Sequence, residues 1–197
     1  MRITKYTHAC IRLEGDHGVL VIDPGVWSEP AALVGADAVL VTHEHADHID
    51  RLRLAGLGVP VYAPADAASE RVPVTAVGSG EEFTAAGFPV RAVGGRHAYV
   101  HGTEPDCANL GYVVDERLYH PGDSLYVPEA PVETLLVPVH ASWLKTTEAI
   151  DFVNAIRPAH AYPIHEGQIN ERGLASVNDW FGKETTGYRY LAPGETA

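Results

Sequence analysis

Cysteine is scarce: Cys10 and Cys107 are the only two, they lie far apart, and neither belongs to a CxxC pattern. That excludes a disulfide framework and a cysteine-type zinc site, and both thiols are expected to be small buried residues. Basic residues are also few, 14 Lys and Arg against 26 Asp and Glu, for a formal net charge of -12. Binding to nucleic acid depends on clustered cations, so no nucleic-acid partner is expected. No stretch approaches the ~20 apolar residues of a membrane span, and the opening MRITKYTHACIRLEG has no long apolar core behind its basic residues. The expectation is a cytoplasmic protein with no membrane partner. Charge blocks, low-complexity runs, internal repeats and a Ser/Pro-rich linker are all missing. The 197 residues therefore read as one domain, 1–197, large enough to bury a core.

Histidine, by contrast, is plentiful at 11 residues. Thr42 to His48, THEHADH, gathers His43, His45, Asp47 and His48 directly behind the apolar run ADAVLVT. Imidazoles so crowded repel one another when protonated and find too few partners in a core, so a bound cation satisfies them best. The strand should end at Thr42, leaving His43 and His45 in the loop that follows it. Asp47 and His48 should then open a helix and approach the same point from another side. The rival reading is a surface loop that happens to be rich in histidine.

Read in order, the chain begins with alternating ITKYTHACIRLE and continuously apolar GVLVIDPG, two strands joined by a hairpin at Gly15 to Gly18. A brief helix is expected at 29–35, a buried strand at 38–41, a helix at 47–57 and a strand at VPVYAP. Residues 65–71 read as another helix. Short β runs follow in VTAV, EEFTAA, FPVRAVGG, ANLGYVVD and ERLYHPGD, separated by Gly or Asp. The last quarter alternates again: TLLVPVH is a strand, 147–156 a helix capped by Thr146 or Thr147, HAYPIH a strand, and 170–183 a helix before YRYLAP. Two β-rich halves, each with helices, indicate two packed sheets with helices outside. Asp23, His43, His97, Asp123, His140 and His165 all follow apolar runs, where loops from several strands converge.

Three positions beyond the cluster are natural metal ligands. His97 follows the glycine pair of FPVRAVGGR, Asp123 lies in HPGDS, and His165 ends HAYPIH. One self-consistent arrangement puts His43, His45 and His97 on a first cation and Asp47, His48 and His165 on a second, with Asp123 bridging. Imidazole and carboxylate donors without thiolates suit zinc, with manganese or iron as alternatives. Two such cations ~3.5–4 Å apart acidify a bridging water and polarise a carbonyl or phosphoryl oxygen, which is hydrolytic chemistry.

At this point the sequence resembles the metallo-β-lactamase superfamily. THEHADH matches that family's HxHxDH motif, the Asp of VIDPG its first motif, the Asp of HPGDS its fourth and the His of YPIH its last, across nearly the whole chain. The compact length and the early THA stretch around His8 are similar to the small lactonase-like branch of metal-dependent hydrolases. The resemblance implies an α/β fold, a four-layer αβ/βα sandwich of two mixed β-sheets with helices on the outer faces, and a dinuclear site at their shared edge. It also implies that Asp23 orients the ligand histidines from behind them. RHAYVHGTEPD offers both His97 and His101 as the third histidine, with His97 preferred.

The remaining candidates keep two readings each. His8 either faces the cleft or is a hydrogen-bonded histidine in an edge strand. His140, followed by Ser142, Trp143 and Lys145, either contacts substrate or simply ends a strand. His120 either supports Asp123 or sits on a surface strand, while His17 and His160 read as surface or core residues. Trp180 and Phe181 read as core anchors. The function expected is a metal-dependent hydrolase in which metal-bound hydroxide, held by two divalent cations, cleaves an ester, lactone or phosphoester bond of a small molecule, with Asp47 as proton acceptor or donor. The rivals are an iron-dependent oxygenase or redox protein on the same fold, an RNA nuclease, and a non-catalytic metal-binding module. The acidic balance disfavours multiply anionic substrates unless Arg96 and Lys145 reverse it locally.

Overall fold

The computed structural model describes residues 1–197. Its first sheet starts as a meander of β1 (Arg2–Lys5), β2 (Ile11–Gly15) and β3 (Gly18–Ile22), with Gly15 paired to Gly18 at the predicted hairpin. β4 (Ala38–Leu40), β5 (Val61–Ala63) and β6 (Thr75–Ala76) then add in parallel, giving the order β1-β2-β3-β4-β5-β6. The second sheet is built from β7 (Glu82–Ala85), β8 (Phe88–Gly94), β9 (Leu110–Val114), β10 (Leu118–His120), β11 (Thr134–Pro138) and β12 (His160–Ile164). Its order runs β12-β11-β10-β9-β8-β7, antiparallel from β7 to β10 and parallel from β10 to β12.

Strand periodicity explains the layers. In β2 and β3 the register sets Ile11 beside Ile22 and Leu13 beside Leu20, and these four face the second sheet. There they join Tyr112, Val114, Leu118, Leu136 and Ile164 in the central core. Val21, Val39 and Val41 point the other way, under Leu33, Ile49 and Leu54. Burial on both faces is why GVLVI and AVL read as unbroken apolar runs. Behind the second sheet, α2 (Thr146–Ile156) and α3 (Glu171–Glu184) bring Ala149, Phe152, Val153 and Phe181 onto Val113, Leu135 and Val137. Two mixed sheets with helices outside form the expected four-layer sandwich.

The helices depart from expectation in detail. The segment predicted as a helix over 47–57 is helical only as α1 (Arg51–Ala55), so Asp47 and His48 lie in a loop instead of opening a helix. Asp50 ends that loop by accepting hydrogen bonds from the backbone N–H groups of Leu52 and Arg53, at 3.0 and 3.1 Å. β4 stops at Leu40, two residues before Thr42. The expected helices at 29–35 and 65–71 are single 3-10 turns at Pro30–Leu33 and Ala65–Ala67. α2 is capped from Lys145, not from a threonine: the Glu148 carboxylate reaches back to the Lys145 N–H at 3.0 Å. Phe181 is buried as a core anchor, but Trp180 is half-exposed, and Cys107 is half-buried where Cys10 is fully buried. No helix is long and apolar enough to cross a membrane.

Candidate metal centre

The C-terminal ends of strands from both sheets meet at one rim. Asp23 follows β3, His43 follows β4, His97 follows β8, Asp123 follows β10 and His165 follows β12. Three sets of donor atoms converge there, each set lying within 4.8 Å: His43, His45 and His97; His8, Asp47, His48 and His165; and His43, His48 and Asp123. All seven predicted ligand positions are thus brought together. His101 is not among them; it is exposed and its backbone pairs with Glu104.

Each buried ring is aimed by a bond at its rear nitrogen. His48 donates from Nδ1 to Asp23 Oδ2 at 2.7 Å, and His97 and His165 donate from Nδ1 to the carbonyls of Ala98 and His140. The Thr42 hydroxyl gives its only proton to Asp23 Oδ2 at 2.7 Å, so at 3.0 Å it accepts from His43 Nδ1. In neutral form, all four rings therefore point an Nε2 lone pair into the rim. Those four Nε2 atoms and Asp123 Oδ1 are buried without a hydrogen-bond partner. Asp123 lies close, at 3.1 Å from His48 Nε2, 3.3 Å from His97 Nε2 and 3.1 Å from His165 Nε2, yet off the hydrogen-bonding direction. Buried donors of this kind need partners. Four convergent imidazoles with carboxylates between them fit divalent cations.

Charge follows the same geometry. Burial holds His43 and His45 below the ordinary imidazole range. Burial also acts against the charged forms of His48 and Asp123, but they stabilise each other: His48, flanked by Asp123 and Asp23, is raised well above the usual value, and Asp123 lies well below it. A proton on His48 therefore competes with a cation for the same lone pair. Burial likewise opposes ionisation of Asp47, yet a hydrogen bond from His8 and the charges of His48 and His8 bring it down to about 2. His8 itself is pushed down to about 4, chiefly by burial.

Comparison with known proteins shows the family and the fold. A family model described as a β-lactamase superfamily domain matches residues 2–165. The chain belongs to the metallo-β-lactamase superfamily. Protein Rv0786c of Mycobacterium tuberculosis is 40% identical over 188 residues, covering 88% of this chain and 89% of the relative. A protein named UPF0173 metal-dependent hydrolase in Thermoplasma acidophilum is 27% identical over 84% of this chain and 83% of its own. Among solved structures, the metallo hydrolase Igni18 of Ignicoccus hospitalis superposes with a TM-score of 0.75 at 18% identity, covering all of this chain and 97% of its own. The diiron β-hydroxylase CmlA of Streptomyces venezuelae gives 0.75 at 16% identity over 53% of its length, a likeness of fold alone.

Within this metallo-β-lactamase fold, other residues take roles that the sequence left open. Asp23 stands behind the donors, accepting from the Thr42 N–H at 2.7 Å as well as from its hydroxyl and His48. His120 is fully buried, so it does not sit on a surface strand; Nε2 lies 3.9 Å from the Asp23 carboxylate and 2.8 Å from the Ala9 carbonyl, and Nδ1 accepts from the Gly122 N–H at 3.1 Å, beside Asp123. His140 is half-buried and contributes its carbonyl to His165. His17 and His160 are exposed. Trp143, which carried no signal of its own in the sequence, donates from Nε1 to Asp123 Oδ2 at 3.1 Å. A cavity of about 610 Å³ beside Phe83, Arg91 and Pro131 shares no residue with the centre.

Proposed function

We propose that this metal-dependent hydrolase uses a pair of divalent cations to cleave an ester or lactone bond in a small, uncharged molecule. The observation that carries the reading is the set of four buried Nε2 lone pairs, each fixed by a partner on Nδ1 and converging around Asp123. His43, His45 and His97 would hold one cation and Asp47, His48 and His165 the other. Asp123 spans the two groups, with Oδ1 toward His48 and Oδ2 toward His97 and His165. Nitrogen and oxygen donors favour zinc, with manganese or iron as alternatives. Bound cations would supply an acidified water and a Lewis-acid site for the scissile carbonyl.

The protein's own groups do the rest. Asp47, partly buried at the rim and ionised, is the proton acceptor that later returns a proton to the leaving group. Trp143 fixes Asp123, and Asp23 with Thr42 fixes two histidines, so the donor geometry is in place before substrate arrives. The charge at the rim argues against a multiply anionic substrate. Arg96 is paired with Asp106, Lys145 Nζ stands 3.6 Å from Glu148, and Glu44, Asp66 and Asp106 turn negative charge toward Cys107. Neither Arg96 nor Lys145 is left unpaired to reverse the acidic balance.

The test is metal analysis of protein purified without chelators, followed by a panel of lactones, carboxylic esters and phosphoesters with and without metal. Two metals per chain, with hydrolysis of lactones or esters that His45→Ala abolishes, is the expected result. Protein that neither carries nor takes up metal, or whose hydrolysis survives complete metal removal, overturns the reading.

A further inference from the structure

Five buried rings crowd the centre, and four of them turn Nδ1 toward an acceptor. His8 does the reverse. The backbone N–H of Gly167 donates to His8 Nδ1 at 3.2 Å, so that nitrogen must present its lone pair. The proton of the neutral ring then sits on Nε2, which lies 3.1 Å from Asp47 Oδ2. Ligation through Nε2 would require the proton on Nδ1, where it would face the Gly167 N–H head-on. We infer that His8 is a fixed hydrogen-bond donor to Asp47 and not a ligand, although its Nε2 lies among atoms that could hold a cation. The positioning role rests on the reading of Asp47 as a ligand: by occupying Oδ2, His8 leaves the other carboxylate oxygen for the second cation and keeps the group from rotating.

The backbone around His8 is built to hold this orientation. His8 has φ of 68°, a conformation that side chains other than glycine seldom adopt, and its ring packs 3.9 Å from that of His165 and edge-on to Trp27 at 4.7 Å. Its N–H donates to Glu166 Oε1 at 3.0 Å, and its carbonyl accepts from Lys5 Nζ at 2.8 Å and from the His165 N–H at 3.1 Å. Lys5 Nζ also bonds Glu166 Oε1 at 2.8 Å, and Lys5 is fully buried. A buried ion pair is weak evidence for stability in itself. Here it ties the turn after β1 to the loop after β12, locking the two backbones that carry His8 and His165.

The test is a two-bond proton–nitrogen spectrum of histidine-labelled protein, metal-free and zinc-loaded, with His8 assigned by its loss in His8→Gln. The expected pattern is a bare Nδ1 and a protonated Nε2 for His8 in both states, while other rings of the centre change on loading. A His8 Nε2 that moves to a metal-bound shift, with Nδ1 protonated, overturns the inference. If no ring responds to zinc, the metal reading and the positioning role fail together, and the metal-free spectrum still reports the tautomer. Chelator competition supplies the second measurement. His8→Ala should weaken the second zinc roughly 10- to 100-fold, with His8→Gln, which keeps an N–H donor and bears the same backbone strain, partly restoring it. Equal weakening in both variants, or none, overturns the positioning role.

Discussion

Gly25 lies against the backbone of Asp47 so closely that a Cβ at position 25 would stand 1.7 Å from the Asp47 carbonyl oxygen. The contact is backbone on backbone: the Val26 N–H bonds the Ala46 carbonyl at 2.9 Å, and the Asp50 N–H bonds the Pro24 carbonyl at 3.0 Å. The DPG turn is therefore a brace for the histidine loop. Gly25→Ala cannot be accommodated by side-chain adjustment and must push the loop outward. A loss of roughly 3 kcal/mol or more is expected in the metal-free protein, together with reduced metal content. A urea midpoint equal to that of the wild type would contradict the brace.

Asp23 accepts three hydrogen bonds, from the N–H and hydroxyl of Thr42 and from His48 Nδ1. Asp23→Asn keeps the volume but turns an NH2 group toward a donor and removes the charge that orders His48. Metal affinity should fall roughly 10- to 100-fold, because the ring loses the partner that selects its tautomer. Chelator competition measures this directly; unchanged affinity would show that His48 is oriented by its packing alone.

The fold and most of the donors were legible because both depend on local patterns. GVLVI and AVL announce strands buried on two faces, and THEHADH gathers three imidazoles and the Asp47 carboxylate at a spacing that suits a shared ligand. The helix expected at 47–57 is cut to Arg51–Ala55 because residues 46–50 are held by backbone hydrogen bonds to Pro24 and Val26, a contact no periodicity reveals. Lys5 looks like a surface residue of an edge strand until Glu166, from the far end of the chain, covers it. Trp143 and the tautomer of His8 were out of reach for the same reason: each is decided by a partner distant in sequence, Asp123 in one case and Gly167 in the other. His97 and His101 share one loop, and only the backbone path shows which of them turns inward.

Asp47 supplies a pH-dependent part of stability in the metal-free protein. Its carboxyl is lowered from 3.8 to about 2, so the folded state binds its proton less readily than the unfolded chain. The contribution is then complete above about pH 4 and is lost as pH falls towards about 2, with a full size of roughly 2 kcal/mol. Asp47→Asn lacks this contribution. Urea midpoints of the two proteins should differ at about pH 6, differ by roughly half as much at about pH 3, and converge only near about pH 2. A difference that does not change with pH would refute the assignment.

Removing metal should destabilise the protein more than any single substitution at its surface. The four Nε2 lone pairs that converge on Asp123 have no protein partner, and a native state that binds cations through them gains free energy the unfolded chain lacks. At a free metal concentration about 1,000 times Kd the gain is about 4 kcal/mol. For a chain of this size that corresponds to roughly 8 to 16 °C in Tm. Chelation should lower Tm by that order, and added zinc should restore it. Trp143→Phe provides the internal control, since it removes the N–H that holds Asp123 at 3.1 Å while keeping a ring in place. Its metal-free Tm should stay close to the wild type, and its zinc-dependent rise should be smaller. An equal rise in both proteins would mean that Asp123 needs no help from Trp143, and no rise in either would remove the metal from the account of this fold's stability.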